Sequence, residues 1–365
     1  MIANVMVTAA GGIIGQGIIK SLKLSNTLGH SPVLYKIFAT DSNPLAAGLF
    51  RSDTGIIVPH ATSEDYVDII TDVCRRNAIS AIFVGSDNEL GPLSSAKDEI
   101  DRKSGAKVLA APTDFIYLAR DKWKTYEFCK LNNIPFADSS LPEDSESFVR
   151  DFGFPVVVKP REGYSSIYFT VAKDRMQMEN ALSQIKAAGL HPVIQRYLGG
   201  DSGARDLNII KNIDEFTTGI TSDKGAKKIM SSISMKKLLK AGQTYKAIID
   251  DFPLVRKSAE AAALKLRAPG PINVQAKLEG DSPVIFEINP RLSATCALRS
   301  AAGVNEPDII YRNFLLQEEI ITHEYKSLVC LRYLNEIYLS TSSYSTIISK
   351  GEISGENDSF MLDYF

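Results

Sequence analysis

The sequence predicts a mixed architecture, α/β over its first third and α+β beyond it. Two observations carry this prediction. Over residues 1–112, short apolar runs alternate with amphipathic stretches, the pattern of strands and helices that build a parallel sheet. Farther on, strand-like runs follow one another across polar turns, at 207–223 and at 273–291, which is the pattern of antiparallel pairing. With 365 residues the chain is long enough for two or three domains. It can bury a core without disulfide or metal staples.

Taken in order, ANVMVTAA (3–10) reads as a buried strand and GGIIGQGIIKSLKLS (11–25) as a glycine turn opening a helix. KIFATD (36–41) is a strand ending in Asp41. SEDYVDIITDVCRRNA (63–78) is a helix capped by Ser63, with Tyr66, Ile69, Ile70 and Val73 at helical spacing. AIFVGS (81–86) and AKVLAAP (106–112) are further strands, and a boundary falls near 112–114. DKWKTYEFCKLNN (121–133) is helical and GFPVVVKP (153–160) a strand stopped by proline. DRMQMENALSQIKAAGL (174–190) is a helix closed by Gly189, and VIQRYL (193–198) a short strand. LNIIKN and FTTGITSD (207–223) are antiparallel strands, and the alanine-rich run at 252–270 is a helix closed by Pro269 and Gly270. NVQAKLEGDSPVIFEINPR (273–291) is a hairpin turning at EGDS. The stretch from about 320 to 365 mixes strand-like and Ser/Thr-rich pieces and carries no assignable chemistry.

Composition narrows the function. Forty-one basic against 43 acidic residues give a net charge of −2, which excludes a broad electrostatic grip on nucleic acid or an anionic membrane but leaves room for a local basic pocket. Cys74, Cys129, Cys296 and Cys330 are far apart and form no CxxC pair, so they read as reduced thiols of a cytosolic protein. Four scattered histidines do not suit a zinc centre. The N-terminus has no basic leader, and no apolar run approaches the roughly 20 residues that span a bilayer. The expectation is a cytoplasmic protein with small-molecule partners, no nucleic acid and no membrane. A homodimer is the default assembly.

The chemistry concentrates in the last hairpin. Glu287 and Asn289 stand two apart on VIFEINPRL (284–292) and share one face of a strand, and Arg291 continues that face. Gln275 can sit across from them. A carboxylate with two amide oxygens makes a hard-oxygen set suited to Mg²⁺, and a neighbouring arginine can neutralise a phosphoryl group. A polar edge strand facing water is the competing reading.

The segment GPINVQAKLEGDSPVIFEINPRLSATCALRSAAGVN (270–305) closely resembles the metal-binding end of the ATP-grasp superfamily, in its carbamoyl-phosphate synthase large-subunit form. Asn273, Gln275, Glu287, Asn289, Arg291 and Ser293 match the pattern N-x-Q, hairpin, E-x-N-P-R-x-S. The resemblance implies that Gln275 and Glu287 bind one Mg²⁺ (or Mn²⁺), that Glu287 and Asn289 bind a second, and that Arg291 holds the transferred phosphoryl group. It covers residues 1 to about 318 and contains one such unit, so a complete carbamoyl-phosphate synthase is not expected. The implied fold is a preATP-grasp, Rossmann-like parallel-sheet domain (1–112), then a two-lobed ATP-grasp fold (113–318, with a smaller lobe at about 123–195) and a C-terminal extension (319–365).

Other positions follow in the family's order. Lys122 matches a phosphate-contacting basic position and Lys159 the strand residue that binds the α- and β-phosphates. REGYSS (161–166) sits where the family carries a glycine-rich phosphate cover, here with Gly163, Ser165 and Ser166. VIQRYLGG (193–200) resembles the strand between lobes, where the backbone of Arg196 and Leu198 meets adenine and Gln195 stands in a place that often carries glutamate. Asp201 and Asp206 both qualify as the ribose-binding acid. Lys236, Lys237 and Lys240 are either phosphate or substrate contacts or a solvated face. The N-terminal spacing G-G-x-x-G-x-G departs from the dinucleotide fingerprint, although Asp41 could imitate its ribose acid. Asp87, Asn88 and Glu89 either hold the acceptor or cap a helix.

The resemblance implies an ADP-forming carboxylate–amine, or carboxylate–nucleophile, ligase that uses ATP and acts through an acyl phosphate. Three alternatives stay open: an ATP-grasp kinase or synthetase acting on a small acid such as bicarbonate or carbamate, a degenerate nucleotide-binding regulatory protein, and a nicotinamide oxidoreductase.

Overall fold

The structure is a computed structural model that describes all residues except His30, 164–166, 200–214, Ala241, His323, Leu334, 355–357 and 363–365. Its first sheet contains β1 (Ile2–Val7), β2 (Leu34–Asp41), β3 (Thr54–Ile57), β4 (Ala81–Phe83) and β5 (Lys107–Val108). These strands pair in parallel in the order β3-β2-β1-β4-β5. Val5, Met6 and Val7 are fully buried, as expected of a strand covered on both faces. The strand order reverses at β1, so a crevice opens where the carboxyl ends of β1 and β4 diverge. At that point Gly85 crosses so close to Thr8 that a Cβ on it would lie 1.9 Å from the Thr8 carbonyl oxygen. Only glycine permits this approach.

A four-stranded antiparallel sheet follows: β6 (Ser139–Ser140), β7 (Val156–Pro160), β8 (Thr170–Ala172) and β9 (Pro192–Arg196), in the order β6-β9-β7-β8. The helix Arg175–Ala187 packs on it through Met178, Ala181, Leu182 and Ile185. The largest antiparallel sheet comprises β10 (Glu215–Ser222), β11 (Ile229–Lys240), β12 (Gln243–Ile249), β13 (Gly270–Glu279), β14 (Ser282–Asn289) and β15 (Leu328–Leu331). Its order is β14-β13-β10-β11-β12-β15. The alanine-rich helix Pro253–Leu266 covers one face through Val255, Ala259, Ala262 and Ala263. A short strand, β16 (Glu352–Ser354), adds antiparallel to the outer edge of β3.

The sequence expectations meet this fold closely in type and less closely in detail. The run LNIIKN lies outside the described residues. Ser63 does not cap its helix. Its hydroxyl donates to Asp65, and the helix begins at Tyr66. Strands β11 and β12 were not among the expected elements, and of two further helices Asp87–Ser95 was expected only as the helix-cap alternative at 87–89 and Lys97–Ser104 not at all. Pro92 inside the first of those helices interrupts the pattern that would have announced it. No described helix is long and apolar enough to cross a membrane.

Candidate active site

A cleft of about 660 Å³ opens where the three sheets meet. Its floor is the β13–β14 hairpin. Cross-strand register sets Gln275 opposite Glu287 and Asn273 opposite Asn289, and the alternation of side chains sends all four into the cleft. Among the described residues, nothing donates a hydrogen bond to the Glu287 carboxylate, although Lys122, Lys159, Lys237 and Arg291 surround it. Burial works against its ionisation, but these four cations prevail and hold it below the usual carboxylate range.

The oxygen donors are available for a hard cation. The Asn289 Oδ1 accepts one long bond, from Arg291 Nη2 at 3.4 Å. The Gln275 Oε1 accepts from Lys237 Nζ at 2.6 Å, a bond that a metal ion held by Gln275 would have to displace. A free carboxylate flanked by two amide oxygens fits Mg²⁺ or Mn²⁺, which keep waters and phosphate oxygens in the rest of their shell.

The basic side chains come from separate elements. Lys159 is the penultimate residue of β7, is 5% exposed, and donates to Gln195 Oε1 on β9 at 2.8 Å. Burial pushes its pKa down to about 8, with Glu287 opposing and Lys122 adding to the fall. Lys122 opens the helix Lys122–Leu131, capped by Asp121, and its ammonium reaches the carbonyls of Arg161 and Gly163 at 3.5 and 3.4 Å. Arg291 is clamped by Asp87 through two bonds of 2.8 and 2.9 Å. The pairing keeps the Asp87 carboxyl low despite its burial.

Behind the floor lies a buried network. Asn273 Oδ1 accepts from Thr217 Oγ1 and from Arg299 Nη2, both at 2.7 Å, so its amide nitrogen is left to face the cleft. Arg299 is fully buried and pairs with Glu306. Gly219 on β10 makes room for that pair, since a Cβ there would lie 2.0 Å from Arg299 Nη1.

Of the residues singled out in the sequence, Lys122, Lys159, Gly163, Gln195, Arg196, Leu198, Gln275, Glu287, Asn289 and Arg291 all line this one cleft. Ser165, Ser166, Asp201 and Asp206 lie outside the described residues. Arg196 ties the hinge strand to Asp138 and Glu279, the latter by two bonds of 2.5 and 3.0 Å. Val157, Leu198, Leu239 and Phe286 supply an apolar part of the wall.

The lysine group at 236–240 divides by strand alternation. Lys237 turns into the cleft and pairs with Glu215 at 2.9 Å, whereas Lys236 crosses to the other side, over Phe216 and Phe252. Lys237, Glu215 and Thr217 are the site residues that sequence reasoning missed or left undecided. Period-2 alternation along β10 and β11 is the signal that could have found them.

The structure corrects two readings of the first domain. Asp41 is no ribose acid, because its two oxygens accept from the backbone amides of Gly11 and Asn43, both at 2.8 Å. Glu89 does not reach the cleft. It is buried against the hydroxyls of Thr8 and Tyr66, at 2.6 and 2.8 Å.

Comparison with known proteins bears on the family and the fold. Residues 17–109 match the family described as PylC-like, N-terminal domain. Residues 214–337 match the family described as ATP-grasp in the biosynthetic pathway with Ter operon. The chain is 27% identical over 214 residues to the carbamoyl phosphate synthase large chain of Clostridium acetobutylicum, covering 54% of this chain and 19% of that one. It therefore spans about a fifth of the length of that relative.

Among solved structures, it resembles the biotin carboxylase domain dimer of Hydrogenobacter thermophilus 2-oxoglutarate carboxylase, in complex with MgADP and bicarbonate. The TM-score is 0.65 at 15% identity, over 95% of this chain and 76% of that one. It also resembles N5-carboxyaminoimidazole ribonucleotide synthetase of Thermus thermophilus. Here the TM-score is 0.63 at 15% identity, over 94% and 86% of the two chains.

Proposed function

We propose that this chain, an ATP-grasp protein with a PylC-like parallel-sheet domain in front, is an ATP-dependent carboxylate–amine ligase that releases ADP and phosphate. The observation that carries the reading is the convergence of Glu287, Gln275 and Asn289 with Lys122, Lys159 and Arg291 on one cleft. Among the described residues, six basic side chains line that cleft against three acidic ones, although the chain as a whole is slightly acidic. Such a cleft favours a polyanion such as the triphosphate of ATP.

In this reading Lys159 and Lys122 hold the phosphates, and Val157, Leu198, Leu239 and Phe286 enclose the base beside the Arg196 and Leu198 backbone. Gln275, Glu287 and Asn289 would hold Mg²⁺, which offsets phosphate charge and orients the γ-phosphoryl group. Arg291 and the Asn273 amide stabilise the charge that moves during transfer. A substrate carboxylate bonds to the γ-phosphorus as the bond to ADP breaks, and ADP leaves with the electron pair. An amine then attacks the acyl carbon and phosphate departs. No enzyme nucleophile is needed, and the buried cysteines, whose thiols burial pushes up, offer none. The division at 112 and 318, a cytoplasmic location and a homodimer belong to the same reading.

The test measures ADP and phosphate release with MgATP across pairs of acids and amines, with mass analysis of products. ADP release that needs both partners and yields a joined product supports the ligase. Release with an acid alone points to a kinase acting on a small acid. No release with any pair removes the proposal.

A further inference from the structure

We propose that Glu89 is a positioning residue for the transfer step: buried behind the cleft wall, its carboxylate ties the helix Asp87–Ser95 to β1 and so fixes Asp87 against Arg291. Glu89 takes this role within the ligase reading above, which it extends to a residue outside the cleft.

Asp87 and Glu89 are the acidic residues in the first turn of that helix. Standing two apart, they point about 200° apart around its axis. Asp87 faces the cleft and clamps Arg291 through bonds of 2.8 and 2.9 Å. Glu89 faces the other way, is 6% exposed, and accepts from the hydroxyls of Thr8 on β1, at 2.6 Å, and of Tyr66, at 2.8 Å. The Thr8 hydroxyl oxygen in turn accepts from the Gly85 amide at 3.1 Å. Gly85 leads into Ser86, the cap of the helix, and it already lies so close to the Thr8 carbonyl that the chain has little room to shift. A change at Glu89 is therefore passed through Thr8 and Gly85 to the backbone that carries Asp87.

The network is complete with an ionised carboxylate. Each oxygen receives a hydroxyl hydrogen, and a carboxylate can accept both. A protonated carboxyl donates from one of those oxygens, and the hydroxyl it meets must turn its own hydrogen away. Thr8 and Tyr66 are buried, so bulk water cannot take that hydrogen. Burial nevertheless favours the neutral acid and raises Glu89 to about 7, with the two hydroxyls opposing the rise and Asp41 on β2 adding to it. Cys74, beside Tyr66, is a thiol that burial pushes up. On the cleft side of the helix, against burial, Arg291, Arg120 and Lys122 hold Asp87 ionised. An ionised Glu89 thus costs stability, and that cost is the mark of a carboxylate kept for function.

The test measures ADP release with MgATP and the acid–amine pair that gives the fastest release in the experiment above. At pH 8, Glu89→Gln should lower kcat about tenfold while the KM for MgATP moves less than about twofold, since the cations of the cleft are untouched. The same variant should be the more stable protein in urea at that pH, so loss of the fold cannot account for slow turnover. The ratio of wild-type to variant kcat, in which the ionisation of the substrates cancels, should climb from about two at pH 6 to about ten at pH 8. Thr8→Ser, which keeps the hydroxyl, should hold kcat within about twofold, and Thr8→Val should lose about as much as Glu89→Gln. Wild-type kcat in Glu89→Gln at pH 8 overturns the proposal. So does a kcat ratio that stays flat with pH, or a loss that appears in KM alone. Wild-type protein that releases no ADP with any pair removes the ligase reading and this role of Glu89 together, whereas normal release by Glu89→Gln removes this role alone.

Discussion

Glu287 is placed among four cations, and among the described residues no group donates a hydrogen bond to it. A structural acid so surrounded would be expected to close on a lysine. One held open for a divalent ion has a measurable signature. Glu287→Gln keeps the shape, removes a charge, and should lower ADP release by at least about 10²-fold. It should also tighten ATP binding in the absence of metal, because the cations lose their counter-charge, while the gain in affinity on adding Mg²⁺ disappears. Calorimetry with and without Mg²⁺ reads both effects, and an unchanged metal dependence would show that the ion sits elsewhere. Glu89 presents the opposite case. Burial raises its carboxyl to about 7, against the hydroxyls of Thr8 and Tyr66 and with help from Asp41. Between its ordinary value of 4.5 and about 7, the folded chain binds a proton that the unfolded chain has released. Stability should therefore fall as pH rises through that window and level off above it, by an amount of order 3 kcal/mol. In Glu89→Gln this slope should vanish and the urea midpoint at pH 8 should rise. A variant that kept the wild-type slope between pH 5 and 7.5 would assign it to other groups.

Elements explain why some of the site was legible in the sequence and some was not. The β13–β14 hairpin could be read because polar Glu287 and Asn289 interleave with Phe286 and Ile288 at period two, and Gly280 marks the turn. Strand β10 was legible in FTTGITSD, but β11 hid because it buries polar residues on both faces. Thr217, Thr218, Thr221, Ser231, Ser232 and Ser234 are all nearly inaccessible, and Thr218 and Ser234 pair at 2.8 Å only after the sheet forms, while the Thr221 and Ser231 hydroxyls find no partner among the described residues. A run of such residues looks like a loop, so Lys237 looked like surface. The Arg299–Glu306 pair was equally hidden, since its partners lie on β13 and beyond the helix Cys296–Ala301. Here β10 must carry glycine at 219. Gly219→Ala would drive a methyl into the Arg299 guanidinium and should destabilise the protein by about 3 kcal/mol or more. Arg299→Met removes the charge but strands Glu306. The double variant Arg299→Met with Glu306→Gln should recover much of the stability and none of the turnover, because Asn273 has lost the donor that fixes its amide. Thermal unfolding and ADP release, measured on the same samples, separate these two losses. Recovered turnover in the double variant would show that Asn273 needs no such support.

Residues 319–365 tie the sheets of the whole molecule together. Sequence reading set 319–365 apart because it showed no chemistry, and its elements are indeed short. Their contacts are not peripheral. β15 extends the large sheet on β12, with Leu328 and Cys330 against the cluster of Ile233, Met235 and Ile309. β16 extends the first sheet on β3, and Ile347 and Ile353 are buried beside Leu49 and Phe50. Arg332 donates to the Ala294 carbonyl at 2.8 Å, on the wall of the recess that holds Asp87 and Arg291. One segment thus spans the first domain, the large sheet and the edge of the active cleft. Removing it would bare the edges of β12 and β3, and unpaired edges promote association between chains. A chain ending at 318 should therefore lose its cooperative melt and elute as aggregates by size exclusion. Supplying residues 319–365 as a separate polypeptide during expression should restore a soluble species with measurable ADP release, since the strands it adds need no covalent link once seated. If the shortened chain instead melts within a few degrees of the full one and keeps its activity, the tail is an appendage. The two sheets would then be held in register by contacts such as Asp87–Arg291, Ser31–Asp308 and Asn305–Ser21 and by the packing of Cys296, Ile310 and Tyr311 against the first-sheet core.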